Sequence, residues 1–296
     1  MLMLGWALAI TTAVALLGLL LRWAARPPDT AAIGTWAASY NLRLDPDEHT
    51  YVSSQLRRGR WLRTLGLVIP FAVGQGAMVW WGLVHARPLP PGPLSVLTFP
   101  SAWAAGYLLG AVAAELTRRR PHPRQLRGAV LAPRRLSDYL PAWMLWAERG
   151  VALAVLALVP LASDTPWSPG RAIPTAIAAI TVAALVEIGL RAMVRRPQPL
   201  GGTGELAVDD ALRSTALHRA AGAGLAALLF LLGNQLGALN RHWWVLTGLL
   251  ALVCYGLAIG CWKDLTSPLW WPIRRGTGPT PQPPIQPRRA PEQGPA

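Results

Sequence analysis

The sequence predicts an all-α, polytopic membrane bundle of about seven transmembrane helices, N-terminus outside and C-terminus inside. Three observations carry that prediction. The first is composition: 52% of the 296 residues are hydrophobic, only 14% are charged, and the mean hydropathy is +0.32, too apolar for an ordinary soluble domain. The second is the sorting of charge. Of the 28 Lys and Arg, 25 fall in segments assigned to the inside, and three, Arg87, Arg171 and Arg241, in segments assigned to the outside; short loops rich in Lys and Arg stay on the cytoplasmic side. The third is an internal repeat. Residues 99–158 align without a gap on residues 171–230 at an offset of 72, with 12 identities in 60 that include Glu115/Glu187, Arg119/Arg191, Arg124/Arg196, Asp138/Asp210 and Gly150/Gly222. Each copy reads as a membrane helix, a basic polar loop, an Asp and the next helix, so the plan is a set of tandem two-helix repeats.

The net charge of +14 does not point to nucleic acid, because the basic residues lie between apolar runs and not on a soluble folded surface. In that position they set topology and attract anionic lipid headgroups. Cys254 and Cys261 share one apolar run and imply no disulfide framework.

Residues 1–26 form the first span. Its uncharged run, residues 2–21, makes about 30 Å of helix, enough to cross the hydrocarbon layer. No charged side chain precedes the run, while Arg22 and Arg26 follow it; a secretory signal has the opposite polarity.

Residues 27–63 read as a cytoplasmic amphipathic segment. Ile33, Trp36, Ala37 and Tyr40 keep i, i+3, i+4, i+7 spacing, as in a short helix lying on a membrane or on another helix. Asp45, Pro46 and Glu48 then form a helix start, with a capping side chain, a proline at the first position and a Glu three residues after the cap. That helix is expected to run to about Arg58, where Arg57, Arg58 and Arg60 surround Trp61.

Residues 64–262 hold six further spans in three hairpins, near 64–84, 97–116, 141–162, 172–192, 220–239 and 243–262. Prolines in 87–93 break the first connection, and Arg118, Arg119, Arg120 and Pro121 end the third span. Asp138 before Pro141, and Asp209-Asp210 before the sixth span, are expected to cap equivalent helix starts. Gly74, Gly76, Gly222 and Gly224 are expected at close helix contacts. Residues 263–296 are a cytoplasmic, Pro-rich tail without apolar periodicity, expected to be disordered.

Glu115 with Arg119 and Glu187 with Arg191 are i, i+4 pairs in the favourable orientation. They neutralise charge at the ends of two spans, or Glu187 faces Glu148 as a cation or proton site. No charge lies at the centre of any span, where Gln75, Thr181, Thr247, Asn234 and Gln235 are the main polar groups; a proton pump generally needs a buried ionisable relay there. Asp209-Asp210 has no second acidic motif to complete a magnesium–diphosphate site, and the five His are scattered, so neither metal nor cofactor is expected. G-x-S-x-G, H-E-x-x-H and phosphate-loop motifs are missing from the sequence.

Arg134-Arg135-Leu136-Ser137-Asp138-Tyr139-Leu140-Pro141 and Asp209-Asp210-Ala211-Leu212-Arg213 resemble cytoplasmic signatures of multi-pass membrane proteins of actinobacteria that have no assigned activity. The resemblance covers the central half of the chain and implies a bacterial plasma membrane, with no catalytic residues to carry over. The function expected is that of a non-enzymatic accessory or scaffold. It would dock anionic lipid, a membrane-protein partner or a second copy of itself through Arg57, Arg58, Arg60, Arg118, Arg119, Arg120, Arg134 and Arg135. The alternative is a small transporter with its site at the cytoplasmic end of the bundle, and a lipid-modifying enzyme ranks third.

Overall fold

A computed structural model describes residues 15, 17–85, 100–118, 134–163, 169–196, 203–239 and 244–264, and all regular structure among them is helical. The expectations for residues 2–14, for the proline-rich turn, for Arg119 and Arg120 with the loop that follows, and for the tail lie outside the described residues. After a helical stretch at residues 17–25 come α1 (Thr30–Ser39), α2 (Pro46–His85), α3 (Pro100–Leu116), a 3-10 turn (Leu136–Asp138), α4 (Ala142–Ala157), α5 (Val159–Ser163), α6 (Pro169–Arg195), α7 (Thr203–Ala238) and α8 (Trp244–Asp264). Four helical stretches, Pro46–Gly82, Ala142–Leu161, Ile173–Arg195 and Leu206–Gly237, are long and apolar enough to cross a membrane.

The bundle is built around α7. Within its most apolar window 83% of residues are buried, against 17–28% for the other three long helices, and α3, α4, α6 and α8 all pack on it. Sequence explains why. Ala220, Ala221, Ala223, Ala226 and Ala227 are all buried, and small side chains let neighbouring backbones approach closely. At Gly224 an added Cβ would collide with Val186 of α6, and at Gly233 it would come within 2.6 Å of the Tyr255 ring of α8. Tyr255 also donates its hydroxyl to Asn234 Oδ1 at 2.7 Å, satisfying a polar group that lipid would strand.

The outer helices show the complementary pattern. On α6, Ala179, Val182, Val186, Leu190 and Met193 are buried, whereas Ile173, Ile177, Ile180 and Ile188 are 56–65% exposed. On α8, Ala251, Cys254 and Ala258 face inward at i, i+3, i+7, and Leu249, Leu252, Val253, Leu257 and Ile259 face out. Large aliphatic residues on the outside and small ones inside are the arrangement for a hydrocarbon surround, where packing and not apolar burial drives helix association. A second close approach joins α2 to α3. A Cβ at Gly66 would strike the Gly106 carbonyl, one at Gly106 the Gly66 carbonyl, and one at Gly110 the Leu62 carbonyl. Gly106 and Gly110 form a G-x-x-x-G spacing on α3.

Several boundaries differ from expectation. The helix that starts at Pro46 does not stop near Arg58: α2 continues for 40 residues through Pro70 to His85, about 60 Å at 1.5 Å per residue. Nothing between Arg58 and Thr64 breaks a helix except Gly59, and one glycine costs only about 1 kcal/mol. Two parts of the expected start are present, Pro46 at the first position and the Asp45 N–H donating to Glu48 Oε2 at 3.1 Å. Asp209 and Asp210 do not cap a helix; α7 begins at Thr203 and they lie in its interior. Asp138 accepts the Arg135 N–H at 2.8 Å and so caps the 3-10 turn, while Pro141 occupies the N-cap of α4. Gly76 meets nothing within 4 Å of an added Cβ and is not a packing point.

The short α1 lies on another helix. Asp29 caps it by accepting the Ala32 N–H at 2.7 Å, and Asn41, in the left-handed region at φ 53°, turns the chain after it, as Asn can. Ile33, Trp36, Ala37 and Tyr40 are all buried against Val52 of α2 and Val208, Ala211 and Leu212 of α7. Trp36 Nε1 donates to Thr215 Oγ1 at 3.0 Å. The Thr215 hydroxyl proton goes to the Ala211 carbonyl at 2.9 Å, so the Tyr40 hydroxyl, 2.9 Å from Thr215 Oγ1, is the donor in that contact.

Candidate functional site

The N-terminal part of α7, the C-terminal ends of α3 and α6, and the first turns of α2 meet at one end of the bundle, beneath α1. The sequence places most of the polar groups there, and the fold buries five charges among them. Asp209 accepts from Arg118 and, at 3.1 Å, from Arg213 of the next turn of α7. Glu115 accepts from Arg118 at 3.3 Å and from Arg196 at 2.6 Å. The five side chains are 0–8% exposed. Arg213 also donates to the Val194 carbonyl at 3.2 Å and Arg196 to the Glu115 carbonyl at 3.2 Å. Burial pulls the Arg196 guanidinium below its ordinary pKa and Arg118 adds repulsion, which Glu115 opposes. Three helices are thereby cross-linked by one chain of charges, Arg196–Glu115–Arg118–Asp209–Arg213.

Arg119, the i, i+4 partner expected for Glu115, lies outside the described residues; among them Glu115 pairs with Arg196 and with Arg118 at i+3. The reason for the i+3 pair lies in the last turn of α3, where the Arg118 N–H bonds back to the Glu115 carbonyl at 3.2 Å. Such a turn is tighter than α-helix and brings residue i+3 around to the Glu. Asp209 and Arg213 are themselves an i, i+4 pair; that spacing was legible, but reading Asp209 as a helix cap hid it. Arg196 carried no local signal, since it reaches Glu115 from 81 residues away.

The second candidate pair forms as expected. Arg191 lies 2.8 Å from Glu187 Oε2, and Arg149 of α4 takes Oε1 through Nε at 2.8 Å and through Nη2. With Arg191 55% and Arg149 43% exposed, this group sits on the rim. Glu148 is 2% exposed, within electrostatic range of Glu187, and its Oε1 finds no hydrogen-bond partner among the described residues. The two copies of the repeat thus place Glu115 and Glu187 at the same helix position but in unlike surroundings.

No family model, curated protein or solved structure matches the chain.

The candidate docking arginines divide into three kinds. Arg57 and Arg135 are exposed and Arg58 half-buried. Arg60 stacks on the Trp23 ring, 4.8 Å from its centroid, and Arg134 reaches Asp210 at 4.0 Å. Arg118 is inside the buried network, paired with Glu115 and Asp209, and is not on the outer surface. Asp210 also accepts from the Tyr139 hydroxyl at 2.8 Å, whose pKa burial raises, with Asp210 adding to the effect. Sequence neighbours Asp209 and Asp210 therefore point to different partners, one into the network and one to the segment around the 3-10 turn ahead of α4. Among the described residues no three His, Cys, Asp or Glu cluster as metal ligands. Cys254 and Cys261 form no disulfide and pack in the bundle.

Proposed function

We propose that this chain is a non-enzymatic accessory or scaffold protein of a bacterial plasma membrane, spanning it about seven times with its N-terminus outside, and that it docks anionic lipid through the arginine-rich cytoplasmic end. The observation that supports this reading is the arginine surplus left at that end after ion pairing: Arg57 and Arg135 stay exposed and Arg58 half-exposed. Juxtamembrane basic residues each contribute about 1 kcal/mol of attraction to an anionic leaflet. The test is the lipid shell of the protein extracted in native nanodiscs. Anionic lipid should be enriched over bulk, and the triple substitution Arg57→Gln, Arg58→Gln, Arg135→Gln should remove most of the enrichment. An unchanged shell refutes lipid docking; a lost protein partner in place of lost lipid assigns those arginines to protein docking.

A small transporter is the second reading, favoured by Glu148, a buried carboxyl within electrostatic range of Glu187 whose Oε1 lacks a hydrogen-bond partner among the described residues. Intramembrane carboxyls of this kind mark ion or proton paths. Glu148→Gln should abolish solute-driven uptake into proteoliposomes without loss of folded protein. Uptake that survives the substitution removes the site from consideration.

A further inference from the structure

Next to the buried charges, between α2, α3 and α7, lies a partly open cleft of about 30 Å³. Its walls carry three guanidiniums, Arg63, Arg118 and Arg219, but a single carboxylate, Glu115. That carboxylate is already shared by Arg118 and Arg196, and the other partner of Arg118, Asp209, is shared with Arg213. Across the cleft and the network, five arginines therefore stand against two carboxylates. Arg63 is only 8% exposed. Its guanidinium lies over the Tyr107 ring at 5.8 Å and along Gly59, where an added Cβ would come within 2.9 Å of Nη1. Arg219 and Arg60 are near enough to repel it, while Tyr107 hydrogen-bonds it; neither Arg63 nor Arg219 joins any ion pair among the described residues. Arg118 Nε, fully buried at the same wall, has no hydrogen-bond partner among them.

A buried surplus of positive charge beside an opening is unfavourable unless an anion completes it. We propose that the cleft is a binding site for a phosphate group, held between Arg63, Arg118 and Arg219. Guanidinium forks match the oxygens of a phosphate in paired hydrogen bonds, and a phosphomonoester near neutral pH carries about −1.5 to −2, closer to the surplus than a carboxylate. The cleft is small, so it takes the phosphate and leaves the rest of the molecule outside the open side. A lipid as the source rests on the docking reading above, which sets this end in the headgroup layer; a soluble phosphate ester does not need it.

The test uses the full-length protein in two settings. Delipidated protein in neutral detergent is titrated with inorganic phosphate against chloride at matched ionic strength, and protein in phosphatidylcholine nanodiscs is compared with and without phosphatidic acid. Binding is read by native mass spectrometry and by the thermal midpoint. Saturable binding in either setting is expected, with Arg63→Gln and Arg219→Gln each weakening it at least ten-fold. The midpoint of the anion-free protein should hold or rise in Arg219→Gln, because a like charge has been removed from beside Arg63. A purely structural role would lower it. Arg219→Lys, which keeps the charge and loses the fork, should weaken binding while folding normally. Phosphate bound by delipidated protein assigns a soluble ester, and binding confined to phosphatidic acid assigns the lipid. No saturable binding in either setting overturns the proposal, as does unchanged affinity in the Arg63→Gln/Arg219→Gln double variant. The Arg57/Arg58/Arg135 triple variant should keep the cleft affinity, so surface docking and the cleft site fail separately.

Discussion

Asp209 ties Arg118 and Arg213 together, and Asp209→Asn removes the charge while keeping the shape. At the 3.1 Å separation from Arg213, the Coulomb term is about 5 kcal/mol at an effective dielectric near 20. In the intact protein much of that offsets the desolvation of the partners. In the variant the desolvation remains: Arg213 is 0% exposed and Arg118 6%, so neither regains water, and each already has an Nε without a partner. Breaking a buried pair by removing one side costs about 3–5 kcal/mol, and two arginines depend on Asp209, which places the loss toward the upper figure. Reversible unfolding in mixed micelles measures it directly. The double variant Asp209→Asn/Arg213→Met removes a carboxylate and one of its cations together, and should lie closer to the parent than Asp209→Asn alone. A loss below about 1 kcal/mol for the single variant, or strict additivity in the double, would refute the description of this network as a buried, mutually dependent unit.

Gly106→Val places side-chain atoms against the Gly66 carbonyl and Pro70 and should cost more than the ~1–3 kcal/mol of ordinary overpacking, whereas Gly76→Ala should be silent in the same unfolding assay. Tyr40→Phe deletes one donor to Thr215 and should cost about 0.5–1.5 kcal/mol; because α1 is held through that contact, protease cleavage between α1 and α2 should accelerate. Glu187→Gln should change stability by no more than about 1 kcal/mol, since both of its arginine partners lie on the rim, while Glu115→Gln, buried with both partners, should cost several-fold more by the same measurement.

The helices and their apolar character were legible because periodicity and length report directly on local structure. The Ile33/Trp36/Ala37/Tyr40 stripe correctly marked the buried face of α1, and the Glu187–Arg191 pair formed as its spacing implied. What was not legible depends on tertiary geometry. The 72-residue repeat treats residues 99–158 and 171–230 as equals, yet α7 is the most deeply buried of the long helices, its run of alanines letting α3, α4, α6 and α8 all pack on it. Asp209 was misread because an Asp pair ahead of an apolar run resembles a cap, and only the helix continuing back to Thr203 shows otherwise. Arg63 and Arg219 looked like topology signals among many arginines. Arg63 is turned inward along Gly59 and over the Tyr107 ring, neighbours that no local pattern connects to it.

The position of α7 late in the chain has a consequence for biogenesis. Its final residues leave the ribosome after the 122 that follow Leu116, a delay of roughly 6 to 24 s at about 5–20 residues per second. Glu115 and Arg118 lack Arg196 and Asp209 until 80 and 93 residues after Leu116 have been made, and α3 lacks its full contact with α7 until the interval ends. Nascent chains halted before Asp209 should therefore be the preferred prey of membrane quality-control proteases, and insertion chaperones should dwell longest on α3.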